Sequence, residues 1–140
     1  MKRFQFKLQK ALELRTRREN DAKLELGRAI GTLSLLEQRI SAVAEDRSRA
    51  TAERFAPEND ISTIKQYDRY VLRLDAQKET LLSAAEKARG IVDEAREVFL
   101  ETSRDRKVLD KVKERRMQEY RKLRLMDETK TTDDIAQKKQ

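Results

Sequence analysis

Two unbroken heptad registers, joined by the only proline in the chain, limit what this sequence can fold into. From Leu8 the steps alternate four and three: Leu8, Leu12, Arg15, Glu19, Ala22, Leu26, Ala29, Leu33, Leu36, Ile40 and Val43. From Ile64 a second series runs through Tyr67, Val71, Leu74, Lys78, Leu81, Ala85, Ala88, Val92, Ala95, Phe99, Thr102, Arg106 and Leu109, and on toward Tyr120 and Leu123. A seam that repeats every 3.5 residues belongs to a helix that winds around another helix. Two such helices with one break between them predict an all-α fold, an antiparallel two-helix coiled-coil hairpin. The predicted core is Leu8, Leu12, Leu26, Leu33, Leu36, Ile40 and Val43 on the first helix, with Val71, Leu74, Leu81, Val92, Phe99 and Leu109 on the second. The stretch Leu33, Leu36 and Ile40 reads as its best-packed part. A rod of this kind encloses almost nothing, so its function lies in what it touches.

The break is Phe55 to Ser62. Pro57 has no amide proton and disfavours helix at Ala56, while Asn59, Asp60 and Ser62 are all competent N-caps. Helix one is predicted over 4–54 and helix two over about 60–126, with one folded unit spanning 1–128 and a disordered tail over 129–140. With the turn centred on Pro57, Leu8 falls opposite Leu109, and residues beyond about 113 have no partner. Gly27 and Gly31 keep the register of the first helix, and close helix approach beside Ala29 is the preferred reason for them.

Charged residues make up 42% of the 140 residues and hydrophobic ones 37%. That balance would suit a disordered chain, but the apolar period assigns it to the coiled-coil class. The absence of cysteine excludes thiol chemistry and disulfides, and the absence of histidine removes the commonest general base and zinc ligand. Phosphate-loop, dinucleotide and zinc-protease motifs are missing. Carboxylates on a solvated helix have no burial to shift their pKa values. The expectation is a non-enzyme without cofactor or metal. No apolar run approaches membrane-spanning length, and MKRFQFKLQK lacks the apolar segment of a signal peptide, so the default compartment is the cytoplasm.

The net charge of +7 is unevenly spread. Residues 1–23 hold eight Lys/Arg against three Asp/Glu, and residues 104–124 hold ten against four. Residues 37–101 hold eleven against fourteen. An antiparallel hairpin brings the two basic segments together at its open end, which predicts an anionic partner there. The candidate contact set at that end is Phe4 and Phe6, with Lys113, Arg115, Arg116, Arg121 and Lys122 for steering and Met117, Tyr120 and Leu123 for apolar contact. Near the turn, Phe55, Tyr67 and Tyr70 form a second candidate surface, since aromatics near a rod tip are common binding anchors. Two other readings stay open: a nucleic-acid-binding coiled-coil arm, although no such module signature is visible, and a plain dimerisation rod.

Several local patterns, in order and along the whole chain, resemble the flagellar export protein FliJ family. They are Phe4-x-Phe6-x-Leu8-Gln9-x-x-Leu12, Tyr67-x-x-Tyr70-x-x-x-Leu74, the segment Lys107 to Arg115, and Leu125-Met-Asp127-Glu128. Asp110 departs from the glutamate more usual there. The resemblance implies an antiparallel rod similar to the central stalk of rotary ATPases. It implies insertion of the open end into the flagellar export ATPase hexamer, and contacts with the membrane export-gate protein and export chaperones. No nucleic acid is expected as a partner. The implied location is cytoplasmic and peripheral, at the inner-membrane face of the flagellar base. Of the gate-binding positions, Tyr67 and Tyr70 are carried over.

Overall fold

A computed structural model describes residues 2–139. It contains two helices, α1 (Gln9–Arg54, 46 residues) and α2 (Ile61–Lys138, 78 residues), and no strand among the described residues. The helices pair antiparallel as a hairpin, with the second the longer. Contacts divide the chain into two units, Met1–Ala22 with Phe99–Gln140, and Lys23–Val98.

The unit Lys23–Val98 holds the turn. The last turn of α1 tightens through Phe55 N to the Ala52 carbonyl (3.3 Å) and Ala56 N to the Glu53 carbonyl (3.1 Å). Asn59 closes that helix end: its side-chain amide donates to the carbonyls of Glu53 (2.7 Å), which also accepts from Ala56, and Arg54 (3.2 Å). Asp60 then caps α2, its carboxylate accepting from the Thr63 amide at 2.8 Å. Of the three N-cap candidates, Asp60 is the one used. Hydrogen bonding from Thr63, its side-chain hydroxyl first and its amide second, holds the Asp60 carboxyl below the usual carboxylate range. Across the pair, Arg54 meets Asp68 (2.6 Å) and Arg47 meets Asp75 (2.7 Å).

In this unit the buried side chains are Val43, Ala50, Leu74, Ala85, Ala88 and Val92. Leu26, Leu33, Leu36, Ile40, Val71 and Leu81 are half-buried. The stretch expected to be best packed is therefore not the most buried one. Two helices cover a small side chain completely, so Ala85 reaches 0% exposure, whereas no large side chain is fully enclosed. Leu74, at 5% exposure, is the exception that comes nearest. Leu74→Ala is expected to cost about 2–4 kcal/mol, and Leu36→Ala clearly less, because the Leu36 site is already open to water. Chemical denaturation of the two variants checks the order; a larger loss at Leu36 would reverse it. The glycine reading is also corrected. A Cβ built on Gly27 or Gly31 meets nothing within 4 Å, so neither glycine marks close approach to α2.

The unit carrying both chain ends has a different core. Phe6, Leu12 and Leu109 are buried together, with Phe4, Ala11 and Val112 packed against them. Ala22 is buried and Phe99 half-buried. Two expectations fail here. Leu8 is 38% exposed and lies outside the core, while Phe6 takes the buried place. The first helix also starts at Gln9 rather than near Phe4, since residues 2–8 are not helical. The register explains both: Leu109 clusters with Leu12, not Leu8, and Gln9 reaches Lys113. At the other boundary, α2 continues through Lys138, well past Met126, with every residue from Arg121 to Lys139 exposed. Thr129, Thr131 and Thr132 satisfy their hydroxyls on carbonyls four residues back, and Arg124 pairs with Glu128 at 3.3 Å. Such local bonds support the last turns without tertiary packing.

Candidate partner-binding surfaces

Charge separates the two units. The one with both chain ends holds twenty Lys/Arg against twelve Asp/Glu; the turn unit holds thirteen against fourteen. Within the basic unit, the candidate contact residues fall into two groups. Arg115, Arg121, Lys122 and Leu123 are exposed, as are Leu125 and Met126, which the sequence also offers as apolar contact residues, and Arg124, which it did not single out.

The other group is engaged within the chain. Phe6 is 8% exposed, and the Arg116 guanidinium sits 5.7 Å from its ring centroid. Phe4 and Tyr120 pair their rings at 5.5 Å and 51°, and the Tyr120 hydroxyl donates to the Lys2 carbonyl at 2.7 Å. Lys113 donates to Gln9 Oε1 at 2.9 Å, and Met117 is half-buried. Lys113, Arg116 and Tyr120 thus do have partners, Gln9 at the start of α1 for the first and the non-helical segment 2–8 for the other two, and the fully exposed part of α2 begins after Tyr120. The hold of that segment is modest. Burial of Phe6, one ring pair and one hydrogen bond together amount to about 5 kcal/mol. Fixing seven residues costs at least about 7 kcal/mol, so the two terms nearly cancel.

A polar layer lies deeper in the same unit. Glu19 accepts from Ser103 Oγ (2.6 Å) and from Arg106 (2.8 Å), and Arg106 also binds Asp110. Arg15 donates to the Asp105 carbonyl at 2.8 Å. The Ser103 hydrogen bond, against the opposing effect of burial and with help from Arg106, holds the Glu19 carboxyl below its ordinary range. Of these, Arg15, Glu19 and Arg106 occupy heptad positions that an apolar seam would fill with leucine.

At the turn, Phe55 is 71% exposed, with the Arg54 guanidinium 5.4 Å from its ring, and Ile61 is as open. Tyr70 is partly exposed. Tyr67 is half-buried, and its hydroxyl donates to Glu53 at 3.3 Å. Burial, and then the Glu53 charge, push the Tyr67 phenol up. Of the three predicted aromatics, Phe55 offers the most surface and Tyr67 the least.

The clefts on both units are shallow and open to solvent. No helix among the described residues is long and apolar enough to cross a membrane. Over residues 4–139 the sequence matches the family model described as flagellar FliJ protein. The chain belongs to that family. No curated protein and no solved structure matches it. Membership assigns it a role in flagellar protein export, in a family whose members are non-catalytic components of that apparatus.

Proposed function

We propose that this chain is a non-enzymatic stalk and adaptor of flagellar export, whose basic unit seats in the hexameric export ATPase and whose turn unit contacts the membrane export gate. Export chaperones are further partners in this reading. The working location is the cytoplasmic face of the inner membrane at the flagellar base. The observation that carries it is the partition of charge between the units, combined with the exposed α2 segment after Tyr120 in the basic one. An acidic or dipole-rich sleeve attracts and orients such a surface as it enters. The exposed apolar side chains Leu123, Leu125 and Met126 then supply contact area once charge has brought the surfaces together.

The test is charge reversal at Arg115, Arg121 and Lys122, which are exposed and make no interhelical ion pair among the described residues. Binding to the cognate ATPase is expected to fall at least tenfold, with helicity by circular dichroism nearly unchanged. The matched reversal at Arg69 and Arg73, both exposed in the turn unit, is expected to leave ATPase binding alone and to weaken a gate contact. The opposite pattern would overturn the assignment of partners to units. Loss of RNA binding with ATPase binding intact would replace it with the nucleic-acid reading.

A further inference from the structure

The non-helical segment 2–8 covers the part of α2 that leads into the proposed partner surface. It is held by Phe6 in the Leu12–Leu109 cluster, by the Phe4–Tyr120 ring pair and by the Tyr120 hydroxyl on the Lys2 carbonyl. Apart from that bond, its backbone bonds to other described residues are those entering α1, Gln9 N to Phe6 O and Leu12 N to Leu8 O. The segment therefore hangs from α1 like a flap, with side chains as its fastening.

Charge works against the fastening. Lys2, Arg3 and Lys7 carry the segment's only side-chain charges, all positive. Beneath them, residues 111–124 of α2 hold seven Lys/Arg against two Asp/Glu. Asp127 and Glu128 share a shallow cleft with Arg3, but Glu128 already bonds Arg124. Like charges on two surfaces of one sign repel, and the repulsion is screened by salt. An acidic surface brought against α2 gains the α2 cations and also draws away the cations lying on them.

We propose that residues 2–8 form a releasable strap over the Val112–Tyr120 face of α2, and that an acidic protein partner of the basic unit displaces it. The proposal rests on the partner reading above and adds regulation to it. Closed, the strap withholds Tyr120 and Val112 and buries Phe6. Open, it frees that α2 face and two phenylalanines beside the exposed Leu123–Met126 segment, enlarging the apolar surface the partner meets. Ionic strength shuts the strap, and an acidic competitor opens it.

The chain has no cysteine, so Arg3→Cys with Arg124→Cys provides two unique attachment points lining one cleft. Nitroxide labels on this pair, read as a distance distribution, are expected to show a short and a long population at low salt. Added salt shifts weight to the short one; poly-glutamate at low salt shifts it to the long one, and Phe6→Ser does so under all conditions. A single short distance unaffected by salt, poly-glutamate or Phe6→Ser overturns the strap. In a second arm, a bis-maleimide linker with an internal disulfide locks the same pair. Locked protein is expected to bind the export ATPase at least tenfold more weakly, and reduction of the linker restores binding. Equal binding before and after reduction overturns displacement. If the ATPase binds neither form, the partner reading fails, and the response to poly-glutamate still decides the strap.

Discussion

Replacing Gly27, Gly31 and Gly90 together by alanine is expected to stabilise the protein by about 3 kcal/mol, on the order of 10 °C in melting temperature. All three lie inside helices, are exposed and have negative φ, so alanine fits their backbone without strain. A Cβ at each meets nothing within 4 Å, so no contact has to give. What alanine removes is the conformational freedom of glycine in the unfolded chain, and with it about 1 kcal/mol per site of helix cost. Single variants should each give about one third of the total, since no shared neighbour couples them. A melting temperature that stays put or falls would mean that something approaches these positions closely. The gain would also show where the hairpin is weakest, because Gly27 and Gly31 sit among seam residues that are only half-buried.

That weakness was partly legible and partly not. Every seam position read from the sequence, from Leu12 to Val43 and from Ile64 to Leu109, is buried or half-buried. The period is a property of one helix, so a single sequence carries it. Pairing register is different: sliding one helix past the other by a heptad leaves the same seam facing the same partner. Only the loop and individual side chains decide it. Placing the turn at Pro57 set Leu8 against Leu109, but α1 ends at Arg54 and that residue pairs with Asp68, further along α2 than a turn centred on Pro57 gives. The pairing shifts by about one helical turn in consequence, Leu12 joins Leu109, and Leu8 is left in water. The same shift gives Lys113 a partner in Gln9 and carries segment 2–8 as far as Tyr120. That segment had no periodic signal at all. Its two phenylalanines were visible as aromatics in a basic stretch, and their intramolecular role follows only from the register.

The polar layer at Glu19 is the element that resolves the register, and its removal has two separable effects. Glu19→Ala leaves Ser103 and Arg106 without their acceptor; with Glu19 only 14% exposed, the expected cost is about 2 kcal/mol. Part of that contribution depends on pH. The Glu19 carboxyl is held below its ordinary value, so its stabilisation is present above the unfolded carboxylate range and is lost as pH falls through the folded value. Asp60 acts in the same direction. The acid limb of the stability profile should therefore flatten in Glu19→Ala. Replacing both partners, Glu19→Leu with Arg106→Leu, extends the apolar seam and is expected to be neutral or stabilising in denaturation. Its effect lies in pairing. A chain carrying Gln9→Cys and Lys113→Cys should be bridged efficiently within one molecule by a short bis-maleimide spacer, because the tips of the two native side chains meet there at 2.9 Å and the spacer makes up the reach that cysteine lacks. With the leucine pair added, seam matches at neighbouring heptads cost less, and the yield of that one cross-link should fall while helicity is kept. A leucine variant that is less stable yet forms the cross-link as efficiently would reverse both expectations: the layer would then stabilise the fold without specifying its register.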